Sequence, residues 1–250
     1  MRNRNMYFTL FMPTLDVILP VFDPPEGWEQ TVIQRFHSLQ AAMKDFSFQL
    51  LIVNDGSTKL DEIKSRAIIE QNIRDGAWIS YPNNVGKGHA LRCGVRESSG
   101  DFILYTDVDW PYTEESMKEV LQKLLHGEQA VIGVRDEDYY AHLSGMRRVI
   151  SQLLQKINGM LLNLQVNDTQ AGLKGFRKEL KEVFLSTTIE RYLFDLEFVY
   201  LLSKKHIKIA TVPVQLRTGI TFSKVNRKVL LQEAKNFLRI LMKKGFRKSE

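Results

Sequence analysis

Short runs rich in β-branched and aromatic residues alternate along this chain with longer stretches in which apolar residues recur every three or four positions. This alternation is typical of repeated β–α–β units, which build a mostly parallel sheet flanked by helices. The predicted strands are Asp16–Val21, Phe48–Asn54, Ala77–Tyr81, Asp101–Asp107, Gln129–Val134 and Lys208–Val214. Helical spacing is found from Trp28 to Met43 and at about 59–74, 114–126, 147–165 and 190–204.

The composition fits one soluble α/β domain. Of the 250 residues, 44% are apolar and 26% charged, which excludes disordered, collagen-like and coiled-coil chains. The single cysteine, Cys93, cannot form an intramolecular disulfide or a multi-cysteine metal site, and it favours a reducing compartment. We expect a domain over residues 1–215 and a tail over residues 216–250.

Positive charge is concentrated in the tail. The segment Ser203–Glu250 contains thirteen Lys and Arg residues but only two acidic residues, whereas the preceding residues are net acidic. Lys224–Lys244 mixes basic and apolar residues at helical spacing, which predicts a basic amphipathic helix suited to an anionic membrane surface. The alternative is a helix packed on the domain with a solvated basic face. A nucleic-acid partner is not expected, because interleaved aromatic residues and zinc-ligand spacing are missing.

The N-terminus only imitates a targeting segment. Arg2 and Arg4 precede an apolar run, but Pro13 and Asp16 interrupt it and no small-residue cleavage site follows. Because no stretch reaches ~18 uncharged apolar residues, the chain is not expected to cross a membrane.

Polar clusters follow five of the predicted strands. They read VFDPP, NDGST, PNNVGKG, TDVDW and GVRDED in chain order. Ligands of open α/β sheets bind beyond the carboxyl ends of the strands, so these clusters predict one site at that edge.

Two of the clusters can be read as turns or as binding loops. Asp55 either starts a turn with Ser57 or Thr58 as a helix cap, or directs its carboxylate to a base or ribose. The turn around Lys87 contains two glycines, which would let backbone N–H groups approach an anion, although its spacing is not that of a P-loop.

The pair Asp107 and Asp109 follows a predicted buried strand. Two carboxylates in such a position repel one another and lose solvation. A bound divalent cation offsets this unfavourable electrostatic free energy. Mg²⁺ or Mn²⁺ bound by one or two carboxylates usually completes its shell with substrate phosphates, so the pair suggests a diphosphate ligand.

Taken in order, these clusters resemble a known family. The segments are DVILPVFD, IVNDGST, NVGKG, YTDVD, VIGVRD, DTQAGLKGF and FDLE, and the match spans about residues 15–215. The chain resembles the family 2 inverting nucleotide-sugar glycosyltransferases of the GT-A fold, and within them the polyprenyl-phosphate (dolichyl-phosphate) glucose and mannose synthases. The resemblance implies transfer of a hexose from a UDP-glucose or GDP-mannose type donor to a membrane polyprenyl phosphate.

The resemblance also implies roles for individual residues. The nucleoside pocket of the family is matched by Pro20, Phe22 and Asp23, and its contact with the base or ribose is matched by Asp55. The nucleotide-side loop is matched by Asn84 and Lys87. The Mg²⁺ or Mn²⁺ site is matched by Asp107 and Asp109, of which Asp109 is the better ligand. Trp110 departs from the polar residue often found after this pair, which puts nearby sugar recognition in doubt.

On the acceptor side, Arg135 and Arg148 match arginines that grip the lipid phosphate, a task suited to the planar guanidinium. Pairing of these arginines with Asp136 or Glu137 is the alternative. Asp168 and Gln170 match a segment near the reaction centre.

The acceptor chemistry decides whether a base is needed. A phosphate monoester has its second pKa near 6, so it attacks the sugar as an anion and inverts the anomeric carbon without a general base. A saccharide hydroxyl would instead need a carboxylate, for which Asp195 and Glu197 are the candidates unless they are merely polar helix positions. A non-catalytic membrane- or nucleic-acid-binding module is a remote alternative. We expect a cytoplasmic enzyme peripheral on the inner face of the membrane, with a separate membrane-spanning subunit as a candidate partner.

Overall fold

The computed structural model describes residues 12–135, 164, 166, 168–217 and 227–245 of the chain. The strands in this part are β1 (Thr14–Val21), β2 (Ser47–Asp55), β3 (Gly76–Tyr81), β4 (Phe102–Tyr105), β5 (Ala130–Arg135), β6 (Lys174–Arg177) and β7 (Ile209–Val214). The helices are α1 (Trp28–Ala42), α2 (Glu62–Asn72), α3 (Lys87–Glu97), α4 (Glu114–Leu125), α5 (Lys181–Leu185), α6 (Phe194–Lys204) and α7 (Arg227–Gly245), with a 3₁₀ turn at Lys178–Leu180.

These strands form one sheet in the spatial order β3-β2-β1-β4-β6-β5-β7. The sheet is mostly parallel, and β6 runs antiparallel between β4 and β5. Val21 pairs with Asn54, and Asn54 pairs with Ser80, so β1, β2 and β3 end level with one another. The segments that follow β1, β2 and β4 therefore emerge at the same edge.

Apolar side chains cover both faces of the sheet. In β2, Leu50 and Ile52 join the cluster that contains the α1 and α4 side chains, whereas Leu51 and Val53 join the cluster beneath α3 and α6. This two-sided burial explains why the central strands are continuous apolar runs. The apolar side chains at helical spacing on α1, such as Phe36, are buried against the sheet. Burial of each such side chain contributes about 1.5–3 kcal/mol to the free energy of folding.

The predicted parallel strands and their order along the chain are confirmed, with shifted ends. The predicted helix at 59–74 begins only at Glu62, because the side chain of Asp61 accepts the Lys64 N–H at 3.1 Å and caps it there. The prediction missed β6, a four-residue strand without β-branched residues. The predicted helix at 147–165 lies outside the described residues apart from Leu164, which is not helical.

The described part of α7 packs against the domain. Asn236 and Ile240 are buried, and the backbone N–H of Leu193 donates to Glu233 of α7 at 2.9 Å. The outer face leaves Leu238 and Met242 more than half exposed. This is the packed arrangement considered as the alternative, and contact of the outer face with a membrane stays a prediction. Among the described helices, none combines the length and apolar character needed to span a bilayer.

Candidate active site at the carboxyl edge of the sheet

A cleft of about 600 Å³ opens at the carboxyl ends of β1, β2 and β4. It brings together most of the residues that the sequence predicts for the site, namely Pro20, Phe22, Asp23, Asp55, Asn84, Lys87, Asp107, Asp109 and Gln170. Arg135 and Asp168 contact each other and are not among the described lining residues, and Arg148 lies outside the described residues.

The two aspartates after β4 are held in an electrostatically strained arrangement. The side chain of Asp109 is exposed to the cleft, but the surrounding walls reduce its solvation. This desolvation, together with the charge of Asp107, raises the pKa of Asp109 to about 6. A side chain at Gly172 would collide with the Asp107 carboxylate, so the glycine leaves room for the pair. In the described residues no cluster of three or more His, Cys, Asp or Glu side chains is present. One or two carboxylates are the ligands that a protein commonly supplies to Mg²⁺ or Mn²⁺, with the rest of the shell coming from substrate phosphates, and the residues at this position are of that type.

Lys87 forms an ion pair with Asp107, one of these two aspartates. Its ammonium lies 2.5 Å from Asp107 Oδ1. Burial disfavours the charged form of Lys87, but the carboxylates of Asp107, Asp195 and Asp109 outweigh that cost and raise its pKa. One of the two negative charges is thus balanced by the protein itself.

Asp55 holds a turn of the cleft wall. Its carboxylate accepts hydrogen bonds from the Tyr81 hydroxyl at 2.9 Å, from Asn84 Nδ2 at 2.8 Å and from the backbone N–H groups of Val85 and Gly86 at 2.8 and 2.9 Å. The residue is almost fully buried. Its predicted contact with a base or ribose stays a prediction, and any such contact must share oxygens that already accept these bonds.

The N–H groups of Gly86, Gly88 and His89 in the glycine-rich turn are already bonded within the protein, which contradicts the interpretation that they bind an anion. Gly86 donates to Asp55, while the N–H groups of Gly88 and His89 donate to the Glu190 carbonyl at 2.7 and 3.2 Å. A side chain at Gly88 would meet the Ile189 carbonyl oxygen at 2.5 Å. The glycines are needed because another segment of the chain packs against the start of α3.

Asp23 ties the end of β1 to the segment after β2. Its carboxylate accepts the Lys59 N–H at 2.9 Å and the Thr58 N–H at 2.8 Å, and the hydrogen bond from Lys59 is the leading cause of its lowered pKa. Asp23 adopts a left-handed backbone conformation with φ 42°. Next to it, Phe22 stands half exposed at the rim of the cleft. Trp110 is fully buried, with its indole N–H on the Met117 sulfur, and is not among the described lining residues.

Arg135 forms a forked ion pair with Asp168, whereas Asp136 and Glu137, the acidic neighbours considered from the sequence, lie outside the described residues. Arg135 Nε and Nη2 lie 2.8 and 2.7 Å from the two carboxylate oxygens. Burial opposes ionisation of Asp168, but the bonds and charge of Arg135 outweigh it and lower the pKa of Asp168. This pair fixes the end of β5 to the segment that presents Gln170 to the cleft.

A buried ionic cluster, which the sequence did not reveal, lies beneath the site. Lys174 is fully buried, and its ammonium lies 2.7 Å from Asp195 Oδ1 and donates to the Ala171 carbonyl at 2.6 Å. The Tyr105 hydroxyl donates to the same carboxylate oxygen at 2.6 Å. Burial lowers the pKa of Lys174, and Asp195 partly offsets this effect. Positive and negative charges thus alternate from Asp107 through Lys87 to Asp195 and Lys174.

The two candidate bases are both used inside the protein. Asp195 is bound by Lys174 and Tyr105, as described above. Glu197 is almost fully buried and accepts the N–H groups of Thr188 and Ile189 at 2.7 and 2.8 Å. Neither carboxylate is among the described lining residues of the cleft.

Known proteins resemble this chain in sequence. The family model described as "Glycosyl transferase family 2" matches residues 16–184. A dolichyl-phosphate beta-glucosyltransferase of Dictyostelium discoideum is 30% identical over 78% of this chain and 63% of its own length. Dolichyl-phosphate beta-glucosyltransferase ALG5C of Trichomonas vaginalis is 28% identical over 68% of this chain and 53% of its own length. The chain thus spans a little over half the length of these curated relatives.

Solved structures share the fold at low sequence identity. Mannosyl-3-phosphoglycerate synthase of Rubrobacter xylanophilus aligns with a TM-score of 0.60 and 16% identity over 95% of this chain and 76% of that one. Mannosyltransferase PcManGT of Pyrobaculum calidifontis, crystallised with GDP-Man and Mn²⁺, aligns with a TM-score of 0.60 and 18% identity over 81% of this chain and 55% of that one. The expected GT-A fold is confirmed by this likeness.

Proposed function

Because the chain belongs to glycosyl transferase family 2, we propose that it transfers a glucosyl residue from a nucleoside-diphosphate glucose to a polyprenyl phosphate such as dolichyl phosphate. The names of its curated relatives support both the sugar and the acceptor. Uridine diphosphate is the favoured leaving group, and a GDP-mannose type donor is the alternative.

The choice of a phosphate acceptor rests on the carboxylates that line the cleft. Four carboxylates line the cleft in the described residues, namely those of Asp23, Asp55, Asp107 and Asp109. The first two are occupied by backbone N–H groups, and the last two form the pair suited to a cation. With no carboxylate left over in the described lining to take a proton, the site suits an acceptor that is already an anion at neutral pH, as a phosphate monoester is.

The proposed reaction is a direct displacement. An oxygen of the acceptor phosphate forms a bond to the sugar C1 while the bond from C1 to the nucleoside diphosphate breaks, and the anomeric carbon inverts. Mg²⁺ or Mn²⁺ held by Asp109 and Asp107 would supply Lewis-acid stabilisation of the departing diphosphate. Lys87 balances the charge of Asp107. An α-linked donor would therefore yield a β-linked lipid product.

The remaining predicted residues divide between the two substrates. We assign Pro20, Phe22, Asp23, Asp55 and Asn84 to the nucleoside side of the cleft. Arg135, Arg148, Asp168 and Gln170 belong to the acceptor side in this proposal. The forked pair with Asp168 would hold the Arg135 guanidinium in place on this side.

A saccharide acceptor is the second candidate, and the geometry disfavours it. That reaction needs a base in the cleft, whereas Asp195 is paired with a buried ammonium and Glu197 is bonded to two backbone N–H groups. Recruiting either carboxylate would leave buried partners unsatisfied, which is costly.

We also propose that residues 216–250 bring the domain 1–215 to a membrane surface that holds the lipid acceptor. On α7, Lys235, Leu238, Arg239 and Met242 are exposed at the spacing of one helix face. Basic residues near anionic lipid contribute about 1 kcal/mol each, and the apolar side chains add burial in the interface. The inner leaflet and a separate membrane-spanning subunit remain part of this proposal.

A transfer assay tests the proposal. Purified protein, Mn²⁺ and polyprenyl phosphate would be incubated with radiolabelled UDP-glucose or GDP-mannose, and the lipid product extracted. We expect glucosyl lipid with the wild-type protein and with Asp75→Asn, a change at an exposed aspartate outside the cleft. Asp109→Asn should abolish transfer while the far-UV circular dichroism stays unchanged. Full transfer by Asp109→Asn would refute the metal role.

A further inference from the structure

The loop between α5 and α6 is unusually well fixed for an exposed connection. We call residues 187–193 the 187–193 arm. Its backbone N–H groups at Thr188 and Ile189 donate to Glu197, and Arg92 donates to the Ile189 carbonyl at 2.8 Å. The bond from Arg92 joins residues 97 positions apart, so the arm is fixed to a distant part of the chain as well as to the neighbouring α6.

The 187–193 arm packs against the start of α3, at the edge of the cleft. The Glu190 carbonyl accepts the N–H groups at the start of α3, and the missing side chains of Gly86 and Gly88 make room for it. Cβ atoms at these glycines would lie 2.5 Å from the carbonyl oxygens of Glu190 and Ile189. At the other end, Leu193 is bonded to Glu233 of α7.

The arm presents Arg191 and Tyr192 to the cleft. Tyr192 is 57% exposed and Arg191 is half-buried. Arg191 Cγ lies 2.9 Å from the position of a Cβ on Gly86, so the stem of this side chain passes beside the turn that carries Lys87. Of the two cations that line the cleft in the described residues, Lys87 is paired with Asp107, whereas Arg191 has no ion pair there.

We propose that Arg191 binds the diphosphate of the sugar donor and stabilises it as the leaving group. This inference rests on the proposed function and names a residue that the sequence motifs did not include. A guanidinium suits phosphate oxygens because its planar fork can donate two parallel hydrogen bonds. The donor is favoured over the acceptor because the stem of Arg191 lies beside Gly86, which directly precedes Lys87, and Lys87 is paired with Asp107. Mounting on the 187–193 arm fixes the backbone of Arg191 before the substrate arrives, which lowers the entropy lost on binding.

Binding measurements without an acceptor test this role. Wild type, Arg191→Gln, Arg191→Lys and the exposed control Arg96→Gln would be titrated with UDP and with uridine in the presence of Mn²⁺, and in parallel with GDP and guanosine. Loss of a charge-assisted contact should raise the Kd for the bound diphosphate about tenfold to a hundredfold in Arg191→Gln. The Kd for the matching nucleoside should not change. Arg191→Lys should be intermediate, and Arg96→Gln should match the wild type.

The outcomes separate the inference from the proposed function. An equal rise in both Kd values, or no rise in either, would overturn the role of Arg191 while wild-type binding upholds the donor class. If the wild type binds neither diphosphate, both proposals fail. A transfer assay gives the remaining distinction: we expect the KM for polyprenyl phosphate to be unchanged in Arg191→Gln, and a rise confined to that KM would overturn the assignment to the donor.

Discussion

Replacing Lys174 by Met should destabilise the protein severely. The substitution keeps most of the apolar stem but removes an ammonium that is completely buried and lies 2.7 Å from Asp195. Asp195 would then be a buried carboxylate with the Tyr105 hydroxyl as its remaining described side-chain donor. Removing one partner of a buried ion pair typically costs about 3–5 kcal/mol, because the other charge is left without compensation.

The magnitude can be measured by thermal and urea unfolding. For a chain of this size, about 1 kcal/mol corresponds to 2–4 °C in Tm, so the substitution should lower Tm by roughly 6–20 °C. Lys178→Met is the matched control, because Lys178 makes a 2.6 Å ion pair with Asp101 at the surface, where water screens it. The control should change Tm far less.

A double substitution isolates the charge effect. Lys174→Met combined with Asp195→Asn leaves no ionised group at this position, so part of the lost stability should return. The reasoning would be refuted if Lys174→Met cost no more than Lys178→Met, or if the double variant were as unstable as the sum of its single changes.

Four further predictions concern the cleft and α7. Because the raised pKa of Asp109, about 6, lets protons compete with the metal, Mn²⁺ affinity measured by calorimetry should be constant above about pH 7 and about tenfold weaker at pH 5; equal affinity at both values would contradict this. Because desolvation and the charge of Asp107 disfavour ionised Asp109 in the folded state, stability is lost as the pH rises from about 4 to about 6, so Asp109→Asn should raise Tm most at pH 7.5 without metal and progressively less as the pH falls towards 4. Gly88→Ala should cost about 1–3 kcal/mol, because its Cβ would meet the Ile189 carbonyl, and unchanged urea unfolding would contradict that packing. Lys235→Glu with Arg239→Glu should reduce co-sedimentation with anionic liposomes but not with neutral ones, and equal binding to both would argue against a membrane-facing α7.

The features of the fold that depend on residues close together in the chain could be predicted from the sequence. Strands such as β2 are recognisable because both faces are buried, and the aspartates at their ends follow from the parallel arrangement. The proposal that Asp107 and Asp109 hold a metal rests on this placement together with the family resemblance.

What the sequence could not predict depends on distant partners. Asp195 pairs with a lysine 21 positions before it and a tyrosine 90 positions before it, and no local pattern marks either contact. Gly86 and Gly88 were read as an anion-binding turn, because the arm that packs on them lies about one hundred residues further along the chain. A pair of glycines two residues apart without P-loop spacing is the one signal that could have indicated close packing instead.

The central claim is that the acceptor enters as an anion and needs no base from the protein. Mass spectrometry of reactions with UDP-glucose, Mn²⁺ and either polyprenyl phosphate or the matching polyprenol tests it most directly. We expect glucosylated polyprenyl phosphate with a β-anomeric linkage and no product from polyprenol. Equal glucosylation of the free alcohol would contradict the claim.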